Sequence, residues 1–392
     1  MQKPSKTNKK NFPQNRSKLP NLPITIFTVM SSLANKHKAI NLSQGFPNFD
    51  CSDRLKELVF KYMKAGYNQY APMTGVGALR KRISNKINTL YDNPVDADTE
   101  ITITNGATQA IYTAVTAFVN VGDEVILVEP AYDSYKPAIE LCGAKAVPYE
   151  LAAPDYTIDW GAFEKLITER TRMVMINSPH NPSGKILKKE DLEALQRITS
   201  GTDILVLSDE VYEHLIFDGQ VHESVLKYPE LYERSLATFS FGKVFHNTGW
   251  RIGYCVAAPH LMNEFRKVHQ FNVFSINTPL QFALAEFLED PNEYLSLADM
   301  FGRKRDFFLE AIQASRFKPY KCEGTYFQLV DYSAISDEND FDFAKRLTIE
   351  HGVAAIPVSV FYSSKRDEKM VRFCFGKTEE MLARAGELLC KI

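Results

Sequence analysis

The chain has 392 residues, 46 Lys and Arg against 48 Asp and Glu, a formal net charge of -2, and 45% hydrophobic residues. That length allows two or three domains with an ample core, and the balanced charge gives no general attraction to nucleic acid or to an acidic surface. No stretch approaches the ~20 apolar residues of a membrane span, and the six cysteines and eight histidines form no CxxC, HxxxH or HExxH pattern. A disulfide framework and a metal site are therefore not expected, and the chain reads as soluble and cytoplasmic with reduced core cysteines.

The first 20 residues, "MQKPSKTNKKNFPQNRSKLP", are basic, polar and punctuated by proline, and no acidic residue precedes Asp50. With neither an apolar h-region nor an arginine-rich amphipathic pattern, they read as a disordered tail and not as a targeting peptide. From about residue 100, short apolar runs alternate with helical segments. "EITITN" leads into the helical "GATQAIYTAVTAFV", and "DEVILVEP" into "AYDSYKPAIELCG". "RMVMINS", "DILVLSD", "LATFSFG" and "RIGYCVAA" follow, each continuously apolar. Continuous apolar strands between helices predict a mostly parallel sheet buried on both faces, hence an α/β architecture.

Further on, "SLADMFGRKRDFFLEAIQAS" and "FDFAKRLTIEH" read as amphipathic helices. "YFQLVDYS", "GVAAIPVSVF" and "MVRFCF" read as strands with more alternation, predicting a smaller α+β domain near the C-terminus.

Ligands of open α/β sheets bind beyond the carboxyl ends of the strands, and the unusual polar residues of this chain fall there. "ITITNGATQA" opens a helix at Gly106-Ala107-Thr108, whose backbone N–H groups could receive a phosphate or simply be capped. Tyr132 follows one strand, Asn181-Pro182 another, and Asp209 a third, with Tyr212 placed on the first turn of an expected helix. "TFSFGK" delivers Ser240 and Lys243, and "GWRIG" delivers Arg251. Alone, Asp209 could be a helix cap and Lys243 a surface residue. Together these strand ends offer an anion cradle, an aromatic plate, an amide, a carboxylate with a phenol, and an amine. A flat, phosphorylated, carbonyl-bearing heterocycle would use all of them, and pyridoxal phosphate fits: a lysine Schiff base and an acidic partner for the ring nitrogen are its usual protein contacts.

The segments "NQYAPMTGVGALR", "HNPSGK", "SDEVYEHL" and "SFGKVFHNTGWRIGY" resemble those of fold-type I, class I/II aminotransferases. Within that family the chain is most similar to the branch of methionine aminotransferases and kynurenine/glutamine transaminases, from about "KLPNLPITIFTVMSSLA" to the C-terminus. The resemblance implies an aspartate-aminotransferase-like fold, with a large pyridoxal-phosphate-binding domain over 49–290 and a small domain built from 21–48 and 291–392. It implies that Lys243 carries the cofactor and then shuttles a proton between the substrate Cα and the cofactor's C4′. Such a transfer by a positioned side chain typically contributes ~10²–10⁴-fold. Gly242 and Ser240 are expected to leave room for the cofactor's approach.

The same resemblance assigns Asp209 to the ring nitrogen, Tyr212 and Asn181 to the ring's 3′-oxygen, and Tyr132 to stacking on the ring. Ser240, Arg251 and the turn at Gly106, Ala107 and Thr108 take the phosphate. Arg372, a lone charge in "MVRFCF", clamps the substrate α-carboxylate with help from the backbone at Gly45. Tyr70 matches the position that reaches the cofactor phosphate of a neighbouring subunit, which implies a homodimer. Phe27, Phe46, Tyr67 and Phe274 are candidate walls of an apolar side-chain pocket that favours methionine or aromatic donors over aspartate, with a 2-oxo acid as acceptor.

A β-lyase acting on cysteine S-conjugates or cystathionine shares these motifs and is the nearest alternative, with kynurenine–oxoglutarate transamination beside it. A transcription-regulator sensor would need a DNA-binding domain ahead of the fold. A nucleotide-binding enzyme is not expected either, because "TGVGALR" lacks the third glycine of GxGxxG and "NPSGK" is not a P-loop.

Overall fold

The computed structural model describes residues 16–392; residues 1–15, most of the expected tail, lie outside the described residues. Among the described residues the chain forms thirteen strands. Seven make one sheet: β2 (Ile101–Thr104), β3 (Glu124–Glu129), β4 (Lys145–Glu150), β5 (Thr171–Asn177), β6 (Leu205–Asp209), β7 (Ser235–Ser240) and β8 (Gly253–Ala257). Their order is β2-β8-β7-β6-β5-β3-β4, and β8 alone runs against its neighbours. The α/β class and the mostly parallel sheet thus follow the expectation.

The continuous apolar runs have a direct cause. Side chains of a strand alternate between faces, and both faces of this sheet are covered. Ile126 and Val128 of β3 join one core while Val125 and Leu127 join the other, and Val174 and Ile176 of β5 face away from Met173 and Met175 in the same way. β4 was not foreseen. It is the sheet's edge, its residues "KAVPYE" are half-buried or exposed, and proline is tolerated there because an edge strand has free N–H positions.

Six short strands lie outside the large sheet. β1 (Ile40–Asn41) pairs in parallel with β11 (Val353–Ala354). β9 (Lys318–Pro319), β10 (Phe327–Asp331), β12 (Ile356–Pro357) and β13 (Met370–Cys374) form an antiparallel sheet of order β12-β13-β10-β9. The expected single strand "GVAAIPVSVF" is therefore broken into β11 and β12, which serve different sheets. The alternation expected of β10 and β13 is also absent, since every residue of β13 and four of the five in β10 are buried. One face packs through Phe373 on Phe308 and Phe317, and the other turns Phe327 and Arg372 toward a central cavity. The helix Ile26–His37, capped by the Thr25 hydroxyl on Thr28 N–H at 3.3 Å, brings Phe27 to the same place. No helix among the described residues is long and apolar enough to cross a membrane.

Candidate active site

The carboxyl ends of β5, β6 and β7 and the start of the helix Gly106–Phe118 open into a cavity of about 340 Å³, within the ~300–1,000 Å³ range of small-molecule sites. Thirteen residues singled out in the sequence line it: Phe27, Gly45, Phe46, Ala107, Thr108, Tyr132, Asn181, Asp209, Tyr212, Ser240, Lys243, Arg251 and Arg372. Gly106 stands directly behind Arg251.

Lys243 sits on the short helix Phe241–Val244 after β7 and donates to the Gly45 carbonyl at 3.3 Å, with its Nζ 5.9 Å from the centre of the Tyr212 ring. Burial lowers its pKa from 10.5 to about 8, and the nearby Arg251 and Arg372 push the same way. The Gly242 expectation needs correcting. A Cβ there would lie 2.9 Å from Thr248 Cα, so the glycine lets the 247–248 backbone close over the lysine helix and does not open space for a ligand.

Asp209 ends β6, fully buried. Its Oδ2 accepts from the Tyr135 hydroxyl and its Oδ1 from Val211 N–H at 3.3 Å. Burial raises its pKa to about 6, and the Tyr135 bond works in the opposite direction. Residues 211–214 form turns, not the expected helix, so Asp209 caps nothing. Tyr212 is buried with its acidity further suppressed, its ring edge-on to Tyr326 at 5.2 Å. Tyr132 lies between Phe27 and Tyr135, with ring centres 6.3 and 5.8 Å away, and burial pushes its phenol up to about 12.

Arg251 adopts a left-handed backbone (φ 54°), donates to the Thr248 carbonyl at 3.2 Å, and lays its guanidinium against Gly106. A Cβ on Gly106 would stand 2.7 Å from Arg251 Nη2, and Gly106 itself has φ +73°, so only glycine suits this junction. Arg372 is 0% exposed. Its Nη1 donates to Asn181 Oδ1 at 2.7 Å and its Nη2 to the Ser43 carbonyl at 3.2 Å, while its Nε has no partner. Phe327 lies 3.9 Å beneath it, with Phe27 and Phe361 each at 5.5 Å. The Asn181 oxygen is therefore committed to Arg372, which leaves its amide hydrogens for the cavity.

Besides Gly106, three sequence candidates do not line this cavity. Tyr67, in the loop after the helix Asp53–Lys64, packs on Phe282 and Tyr62 at 4.3 and 5.3 Å, a contact with two helices and not a pocket wall. Tyr70 (81% exposed) and Phe274 (48% exposed) meet edge to face at 5.3 Å on the surface. Conversely, Gln44, Ile111, Tyr135, Asn177, Val211 and Phe327 line the cavity without having been singled out. Tyr135 lies in the strand-end stretch "VEPAYDSY", where nothing local marks it as the partner of Asp209.

The donor set fits pyridoxal phosphate. A glycine cradle under Arg251 suits a phosphate, a buried carboxylate suits a ring nitrogen, a buried lysine of lowered pKa suits a carbonyl, and an orphaned guanidinium N–H awaits an anion. The site thus defines an enzyme of amino-acid chemistry built around that cofactor.

The family model for class I and II aminotransferases matches residues 37–389. The chain belongs to this family, and is a pyridoxal-phosphate-dependent aminotransferase acting on amino acids and 2-oxo acids. It is 51% identical over 384 residues to methionine aminotransferase of Escherichia coli, covering 98% of this chain and 99% of that one. It is 33% identical to a kynurenine–oxoglutarate transaminase of Dictyostelium discoideum, with 94% of each covered. The crystal structure of an Escherichia coli protein identified as a methionine aminotransferase superposes with a TM-score of 0.95 over 97% of this chain and 100% of that chain.

Proposed function

We propose that the enzyme transaminates L-methionine and aromatic L-amino acids with a 2-oxo acid as acceptor, in the cytoplasm, as a homodimer. The observation that carries the donor class is the wall of the cavity, where Phe27, Phe46, Ile111, Tyr132 and Phe327 line the same space as Arg372. Similarity to methionine and kynurenine transaminases supports the same choice. Exposure of the Tyr70–Phe274 pair supports the dimer, and the two segments are strapped together by Ser275 Oγ on the Ala71 carbonyl (2.9 Å) and Thr278 Oγ1 on the Gln69 carbonyl (2.6 Å). Pairing of β1 with β11 supports a small domain that draws on both chain ends.

In this reading Lys243 holds the cofactor's carbonyl carbon, Asp209 its ring nitrogen, Tyr212 and Asn181 its ring oxygen, and Tyr132 its face. Ser240, Arg251 and the Ala107–Thr108 turn hold its phosphate. When bound, the cofactor supplies an electron-withdrawing ring that makes the Cα proton of an attached amino acid removable. Arg372 and the Gly45 backbone orient the substrate by its α-carboxylate, the guanidinium fork matching both oxygens. Lys243 Nζ takes the proton from Cα, for which it must be neutral, and burial provides that state near pH 8. Asp209 stays charged against the ring nitrogen with Tyr135 holding its second oxygen. The aromatic walls exclude water from the reacting atoms.

The test is the absorption spectrum of the purified holoenzyme after adding L-methionine, L-kynurenine or L-aspartate without an acceptor. Bleaching of the visible band by methionine or kynurenine supports the reading. Bleaching by aspartate alone overturns the pocket assignment, and no response to any donor overturns the reaction.

A further inference from the structure

Lys377 follows β13 and is 2% exposed, yet among the described residues it has no carboxylate partner. Burying an ammonium costs free energy unless it is hydrogen-bonded, and a methionine would fill the space at no such cost. The lysine instead spends its donors on one short segment. Its Nζ donates to the Gln44 carbonyl at 3.3 Å and to the Phe46 carbonyl at 2.6 Å, and lies 5.1 Å from the centre of the Phe46 ring. The carbonyl between them, Gly45, is held from the other side by the Tyr326 hydroxyl at 2.7 Å and by Lys243 Nζ at 3.3 Å. Three successive carbonyls are thus fixed by side chains, with Lys377 taking the first and third and the cavity taking the second.

This pinning has a consequence for the second residue. Residues 43–46 form bends, and with carbonyls 44 and 46 anchored on Lys377 the Gly45 carbonyl between them is left to Tyr326 and Lys243 at the cavity. Among the described residues the Gly45 N–H has no partner. Gly45 is also seated against the arginine clamp, since its Cβ position lies 4.0 Å from Arg372 Nη2 and 3.0 Å from Phe327 Cζ. Lys377 is itself rigidly placed: its N–H donates to the Phe375 carbonyl at 2.7 Å and its carbonyl accepts from Lys304 Nζ at 2.8 Å. The same two segments are joined further along by Cys374 N–H on the Leu42 carbonyl and Thr378 N–H on Asn48 Oδ1, both at 2.8 Å.

We infer that Lys377 is a positioning residue for substrate selection: by pinning Gln44 and Phe46 it aims the Gly45 N–H at the substrate α-carboxylate and fixes the Phe46 wall beside the substrate side chain. It touches neither substrate nor cofactor. The inference rests on the proposed role of Arg372 and Gly45 as the carboxylate site.

The experiment uses holoenzyme and 3-phenylpropanoate, an unreactive monocarboxylate with an aromatic tail, whose dissociation constant is read from the change in the cofactor's absorption. Lys377→Met should weaken its binding about tenfold or more, the loss of one to two hydrogen bonds to a charged group, and should raise KM for L-methionine by a similar factor with kcat changed less than threefold. Lys377→Arg, which keeps a long cationic donor, should restore the constant to within about threefold, an outcome that general loosening of the structure would not give. If Lys377→Met yields no holoenzyme, Lys377→Gln, with one amide donor left, should weaken the probe at least threefold. An unchanged constant in whichever variant loads cofactor overturns the inference, as does failure of Lys377→Arg to restore it. Failure of the wild-type enzyme to bind the probe or to respond to any amino acid would instead overturn the carboxylate site on which it rests.

Discussion

Lys243 of the apoprotein should titrate near pH 8. Its pKa falls from 10.5 to about 8, chiefly because the amine is buried; Arg251 and Arg372 push the same way, while Cys374 and Asp209 oppose the fall. At about 1.4 kcal/mol per pH unit the displacement favours the neutral amine by about 3–4 kcal/mol. At pH 7 roughly one chain in ten then carries a neutral Lys243, against roughly one in three thousand for a solvated lysine. The assay is competitive acetylation of apoprotein with trace isotopic acetic anhydride between pH 6 and 11. Peptide mass spectrometry quantifies the product, and the exposed Lys267 serves as internal reference. Labelling of Lys243 should rise about tenfold per unit up to pH 8 and then level off. Arg251→Gln should move the midpoint upward by less than one unit, because burial and not that charge is the main cause. A rate that keeps climbing past pH 9.5 would refute the reasoning, for it would mean that the amine is solvated.

Arg372→Lys should raise KM for L-methionine about 10–100-fold with a smaller effect on kcat, since a lysine cannot reproduce the fork that Asn181 and Ser43 hold in place. Steady-state kinetics decide it. Gly106→Ala should weaken cofactor binding at least tenfold in equilibrium dialysis, because the added methyl adopts φ +73° and displaces the Arg251 guanidinium. Asp209→Asn should abolish transamination yet stabilise the apoprotein. The folded pKa of about 6 lies above the reference 3.8, so the wild-type group contributes stability below pH 4 that is lost as pH rises through about 6. Urea unfolding should find the variant more stable by about 2–3 kcal/mol at pH 8 and equal at pH 4. Saturating inorganic phosphate should raise the Lys243 midpoint in the acetylation assay, and an unchanged midpoint would place the anion elsewhere.

The strands of the large sheet were legible because burial on both faces leaves no polar face to interrupt the apolar run, as in "VMIN" of β5 and "LVLS" of β6. β4 escaped because an edge strand with exposed lysine and a proline carries no such run. Site residues were legible where a polar group stands at the end of an apolar strand, as Asp209 and Lys243 do, or inside one, as Arg372 does. Tyr135 and Lys377 had no such contrast. Their roles reside in contacts with Asp209, 74 residues away, and with Gln44, 333 residues away, distances over which local pattern carries no information. Tyr67 shows the converse limit, for an aromatic in a loop packs equally well on a neighbouring helix or on a ligand, and only the fold decides.

The two arginines of the cavity reinforce what burial does to its lysine. Three cations, Lys243, Arg251 and Arg372, face a single carboxylate, Asp209. The two arginines lie at opposite ends, one against Gly106 and the other against Gly45 and Asn181, and each repels a proton on Lys243. The two arginines therefore add to burial in lowering the proton affinity of the amine to a pKa of about 8, which enlarges the neutral, nucleophilic fraction able to capture a carbonyl. In the proposed function, a phosphate on Arg251 and a carboxylate on Arg372 would neutralise both repulsions and raise the proton affinity of the amine. That rise would come when the substrate is in place and its Cα proton must be accepted. Binding at the two ends thus tunes the group in the middle, and a site with an apolar residue in place of either arginine would lose that coupling along with its affinity.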